Sequence, residues 1–138
     1  MKTALTTLGL LAALASTAFP AVAQDDPNAF VRAHVQKIAS GDSSLAADYR
    51  PDAFLWWVGG PLDGTYSGGS IGGVWTKFSA AQGTLTVDVS NVTVAANPKG
   101  QTVEADVLYH GAKGTLHIRQ VVLLRQGHVQ DEIWQIEP

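Results

Sequence analysis

The sequence predicts an α+β fold in which a cone-shaped, curved, mostly antiparallel sheet wraps around N-terminal helices. Three observations support this. The stretch from Leu85 to Trp134 reads as four consecutive strands, two amphipathic helices precede it, and those helices flank one short strand rich in aromatic residues. Helices packed into the hollow of a bent sheet leave room for a small-molecule pocket, so ligand chemistry is the expectation that follows.

Residues 1–23 read as an export signal. Lys2 supplies a positive start, Leu5 to Leu14 an apolar core, and Ala21-Val22-Ala23 a small-residue cleavage site. Thr6, Thr7, Ser16, Thr17 and Pro20 dilute the stretch below what a membrane-spanning helix needs, so no stable membrane insertion is expected after cleavage. Residues 24–138 then form one exported domain, periplasmic or extracellular. Without Lys2 there are 8 basic and 12 acidic residues, a net charge of −4, and no basic cluster. Nucleic acid is not an expected partner. The chain has no Cys, which removes disulfides, thiol chemistry and iron–sulfur or zinc-finger sites.

Asp25 and Asp26 before Pro27 suit a helix start, and Phe30, Val31, His34, Val35 and Ile38 then share one face until Gly41 ends the run. Leu45 and Tyr49 stand one turn apart, which suggests a second short helix before Pro51. Ala53 to Val58 reads as a strand closed by Gly59-Gly60-Pro61, and the Asp63-Gly64 to Gly68-Gly69 segment reads as a mobile loop. Ser70 then caps a helix whose stripe is Ile71, Val74, Trp75 and Phe78, ending at Gly83.

In the last four strands the turns set the register. Gly111 opposite Gly114 pairs His110 with Thr115, Leu108 with His117 and Asp106 with Arg119, the last an expected cross-strand ion pair. Val103, Ala105, Val107 and Tyr109 then share a core face with Leu116, Ile118, Gln120, Val122 and Leu124. A tight turn at Gln126-Gly127 pairs Leu124 with Val129, Val122 with Asp131 and Gln120 with Ile133. That register puts Asp131 and Gln120 on the inner surface and Glu132 and Trp134 on the outer one. Leu85, Val87 and Val89 are out of phase with Val92 and Val94, so a bulge near Asn91 is expected.

Several segments resemble SnoaL-like members of the nuclear transport factor 2-like superfamily, which share a cystatin-like architecture. They are Tyr49-Arg50-Pro51-Asp52-Ala53 leading into a strand, Gly60-Pro61-Leu62-Asp63-Gly64, Val74-Trp75 with Phe78, and the closing stretch from Leu124 to Asp131. The resemblance covers nearly all of residues 24–138. It implies a cone of curved sheet closed by helices, often dimeric through the outer face, with a cavity used for isomerisation, cyclisation, hydration or binding. It also implies that Asp131, at the acidic position of the last strand, is the acid–base candidate, because burial among Val122, Ile133 and aromatic rings would raise its pKa.

Tyr109 and His34 are the expected catalytic assistants. Trp56, Trp57, Tyr66, Trp75, Gln120, Val122 and Ile133 are the expected ligand contacts, although alternation turns only one of Trp56 and Trp57 inward. His110, His117 and His128 lack ligand spacing with an acidic third group, so no metal is expected, and no cofactor motif is present. Three functions remain open. The first is binding of a small apolar or aromatic molecule, oriented by Asp131 and Gln120. The second is an isomerase, cyclase or hydratase using Asp131. The third is a dimeric interaction module whose cone is filled by large side chains such as Trp56 or Trp57. A homodimer through Leu108, Val121, Leu123 and Trp134 accompanies these readings.

Overall fold

The computed structural model describes residues 26–138; the export signal assigned to residues 1–23 lies outside that range. Helix α1 (Pro27–Ser40) is capped by the Asp26 carboxylate, which accepts from the Asn28 amide, and it ends on the left-handed Gly41. A short 3₁₀ helix, η1 (Ser43–Asp48), leads directly into β1 (Tyr49–Val58). β2 (Gly64–Ser67) pairs antiparallel with β1 in the segment expected to be a loop. A four-residue strand that starts on Gly64 and is followed by Gly68 is too short to show a strand periodicity. Helix α2 (Ser70–Gln82) precedes the four long strands β3 (Thr86–Asn97), β4 (Gly100–Gly111), β5 (Gly114–Arg125) and β6 (His128–Ile136).

These strands form one curved, unclosed sheet in the order β2-β1-β6-β5-β4-β3, antiparallel except where β1 runs beside β6. The inner face carries Ala53, Leu55 and Trp57 of β1, Val103, Ala105, Val107 and Tyr109 of β4, and Ile118, Val122 and Leu124 of β5, all buried. Against them α1 sets Val31, Val35 and Ile38, and α2 sets Ile71, Val74, Trp75 and Phe78. Burying these faces supplies most of the driving force for the fold.

The β4–β5 register matches the one read from the turn, including Leu108 opposite His117 and Asp106 opposite Arg119. The expected Asp106–Arg119 ion pair is absent, however. Arg119 pairs with Glu104 on the same face, and Asp106 instead accepts from Asn91 at 2.7 Å. Asn91 marks the expected bulge in β3: its φ is 52°, and the register with β4 shifts between Ser90 and Thr93. Beyond the bulge Val94 returns to the same phase as Val103.

The β5–β6 register holds only at its start. Leu124 pairs with Val129, but Leu123 then pairs with Asp131, which leaves Gln130 as an extra residue. This bulge reverses the phase of the rest of the strand. Glu132 falls opposite Val122 and Trp134 opposite Gln120, both fully buried, while Asp131 and Ile133 turn to the other face. The bulge has a partner in β1, whose register with β6 is interrupted between Tyr49 and Phe54, around Pro51. Pro51 has no N–H to give a ladder, and the Gln130 side chain donates to the Asp52 carbonyl at 3.3 Å across the gap.

Candidate functional site

Seven elements meet in one hydrogen-bonded network inside the cone. Helix α1 places His34 in its apolar stripe, fully buried, with Lys37 one turn further on. The junction of η1 and β1 supplies Asp48 and Tyr49 as neighbours in sequence, and the bulged β6, beside β1 in the sheet, supplies Glu132. His34 Nδ1 lies 2.8 Å from Asp48 Oδ2, and Nε2 lies 3.1 Å from Glu132 Oε2. The second Asp48 oxygen accepts from Lys37 Nζ at 2.6 Å.

Glu132 is saturated with donors. Besides His34 it takes the Tyr49 hydroxyl and, at 2.5 Å, the Gln120 amide. Tyr49 in turn accepts from Trp75 Nε1 at 2.8 Å, and the Tyr109 hydroxyl donates to Gln120 Oε1 at 3.2 Å. Two basic side chains therefore face two carboxylates, with amide and phenol groups filling the remaining positions.

A carboxylate on each ring nitrogen favours the imidazolium, which alone donates from both. Burial by itself would lower the His34 pKa, but the charge of Glu132 and the hydrogen bonds to Asp48 and Glu132 outweigh it and push the value up to about 9. For Asp48 the cost of burial is likewise outweighed, by His34 and Lys37, and its carboxyl sits below the usual range. Burial and the adjacent Glu132 push the Tyr49 hydroxyl well above its ordinary value, and burial raises Tyr109 as well.

Next to the network the wide part of the cone is filled with rings. Trp57 stacks at a tilt on Trp134 with centroids 4.2 Å apart and meets Phe78 at 5.3 Å, while Trp75 stands edge-on to Trp134 at 5.7 Å. The Trp57 and Trp134 indole N–H groups are buried with no acceptor among the described residues. A cleft of about 540 Å³ lies elsewhere, between the end of α1, η1 and α2, lined by Ile38, Leu45, Ala46, Gly72 and Trp75 with Asp42 at its rim. Trp75 belongs to both places, since it lines the cleft and anchors its N–H on Tyr49 inside.

The residues singled out from sequence divide accordingly. His34, Tyr109, Gln120, Trp57, Trp75 and Val122 are all in the interior. Asp131 is not; the β6 bulge turns it to the convex face between Phe54 and Leu123, where partial burial raises its pKa against the opposing pull of Arg125. The same bulge puts Ile133 outside. Trp56 is 47 % exposed on the convex face, so Trp57 is the inward member of that pair. Tyr66 is half-buried on β2, with its hydroxyl donating to the Leu62 carbonyl at 2.7 Å. Trp134, expected on the dimer surface, is fully buried.

His34 bonds two carboxylates rather than the backbone carbonyl typical of a core histidine. Glu132, Tyr49, Asp48 and Lys37 were the members sequence reasoning missed. The spacing of His34 and Lys37 on one helix, with an acid just ahead of Pro51, was the available signal.

A fold of this kind is shared with many solved structures, although no protein-family model and no curated protein matches the chain. A nuclear transport factor 2-like protein of unknown function from Pseudomonas putida is 18% identical with a TM-score of 0.66, over 78% of this chain and 82% of that one. One from Pseudomonas aeruginosa is 12% identical with a TM-score of 0.63, over 80% and 95%. A protein with a ketosteroid isomerase-like fold from Catenulispora acidiphila, solved in complex with trimethylamine, is 14% identical with a TM-score of 0.58, over 76% and 82%. The chain has the nuclear transport factor 2-like fold, a cone built around an aromatic cluster.

The network makes stability depend on pH. The folded-state pKa of His34 is raised from 6.5 to about 9, so its contribution is fully present below pH 6.5 and is lost as pH rises through about 9. Urea unfolding should show a decline on the order of a few kcal/mol across that window. His34→Gln should flatten it, and an unchanged profile in the variant would show that another group is responsible.

Proposed function

We propose that the protein is an exported carrier or receptor of a small, largely apolar molecule, which it holds in the cleft between α1–η1 and α2. The observation behind this reading is the position of Trp75. The cleft has the size and apolar lining usual for ligand sites, and its aromatic wall is fixed by the Tyr49 hydroxyl within the buried network. A wall held this way is set before the ligand arrives, which lowers the cost of binding. The filled interior argues against a ligand among Trp57, Phe78 and Trp134.

Gly72 offers a direct test. A Cβ added there would meet only the Ala46 Cβ, at 3.8 Å, so a larger side chain is accommodated by the helix and projects toward the cleft. Gly72→Leu should keep or raise stability by removing a helical glycine. It should also abolish the tryptophan-fluorescence response to apolar ligands, whereas unchanged binding in a folded variant would move the site elsewhere.

A second reading, acid–base catalysis, is favoured by one feature. Tyr49 donates to Glu132 and also lines a separate cleft of about 370 Å³ beside Pro51, which makes it the link between that cleft and the network in this reading. Glu132, rather than Asp131, is the carboxylate that reading would use. Its Gln variant should then lose turnover on enone or epoxide substrates while still binding them.

The convex face is the proposed dimer surface. Phe54, Trp56 and Val58 are exposed there, and Trp56, Ile133 and Val121 stand side by side across β1, β6 and β5. Leu123 extends the same apolar patch, of the kind that marks contacts, whereas Leu108 is set apart from it by the Arg119–Glu104 pair. Sedimentation should show a homodimer at micromolar concentration and a monomer for Trp56→Lys; a monomeric native protein contradicts the assignment.

A further inference from the structure

We propose that the α1–α2 cleft selects cationic amphiphiles, molecules with an apolar body and an ammonium head. This rests on the cleft being the ligand site and adds the chemical class that it takes.

The apolar body is matched by Ile38, Leu45 and Trp75. The indole N–H of Trp75 is committed to Tyr49, so towards the cleft this residue offers apolar ring and no hydrogen-bond donor for an anion. At the rim the polar groups are the hydroxyls of Ser43, Thr76 and Ser79 and the carboxylate of Asp42. Among the described residues no basic side chain lines the cleft.

Three features make the rim negative. Asp42 caps η1, its Oδ1 accepting from the Ser44 amide at 2.8 Å, which fixes the carboxylate in place. That hydrogen bond holds its pKa below the usual carboxylate value, and the group remains a permanent charge. The negative ends of two helices also converge here, since Gly41 ends α1 and Ser79 lies in the last turn of α2. The last turn of α2 has no basic residue, and the one basic residue in that of α1, Lys37, is paired with Asp48 at 2.6 Å. A carboxylate ligand would meet this rim unpaired, and a neutral one would gain no charge attraction from it.

The test compares three probes with one apolar body: 3-phenylpropyl-trimethylammonium, 3-phenylpropanol and 3-phenylpropionate. Each is titrated by calorimetry into the full exported domain and into Asp42→Asn, in which the amide oxygen retains the cap on η1. The ammonium should bind about three- to fivefold more tightly than the alcohol, as an exposed rim charge allows, and the carboxylate most weakly. Asp42→Asn should bring the ammonium close to the alcohol and leave the alcohol unchanged.

Equal affinity for ammonium and alcohol in the native protein overturns the selectivity and leaves the cleft as an apolar site. So does an ammonium preference that persists in Asp42→Asn. Binding of none of the three probes, or binding unaffected by Gly72→Leu, removes the cleft as the site and this inference with it.

Discussion

The imidazolium of His34 is held between carboxylates that arrive from distant parts of the chain, Asp48 ahead of β1 and Glu132 in β6. An isolated charge at this depth would be several kcal/mol unfavourable, and so would either carboxylate without its partner. Together with Lys37 the group presents two basic and two acidic side chains, with phenols and an amide supplying the other hydrogen bonds. Replacing such a set with apolar residues need not weaken a fold, whereas removing one member leaves a buried charge unmatched. The network therefore acts mainly as a constraint: α1, η1 and β6 have one arrangement in which all its members are satisfied.

That constraint reaches the surface through Tyr49 and Trp75. The Tyr49 hydroxyl donates to Glu132 and accepts from the indole of Trp75, which fixes α2 against the sheet and positions the wall of the cleft. The ring cluster of Trp57, Phe78 and Trp134 fills the space beside it, so the cone is packed with side chains there. The ligand site proposed for this molecule is accordingly at the ends of the helices rather than at its centre.

Local signals carried the strands whose pairing is set by a nearby turn. Gly111 and Gly114 permit only a tight hairpin, and the alternation of Val103, Ala105, Val107 and Tyr109 against Ile118, Gln120 and Val122 then follows residue by residue. The last strand was misread for a non-local reason. The turn at Gln126-Gly127 does set Leu124 against Val129, but Gln130 is then displaced to match an interruption around Pro51, about 80 residues earlier in the chain. Both phases of β6 offer an apolar residue to the core, Ile133 in one and Trp134 in the other, so composition did not expose the error. The single step turned Asp131 outward and Glu132 inward. His34 was visible as a polar residue in an apolar helical stripe, but its partners lie 14 and 98 residues away and no local pattern names them.

The protonation state of His34 tests this account most directly. Nitrogen-detected NMR of the ring at about pH 8, well above the pKa of a free imidazole, should find both ring nitrogens protonated, with N–H signals slow to exchange and lost on Glu132→Gln. A neutral single tautomer at that pH, titrating near the ordinary histidine value, would contradict it.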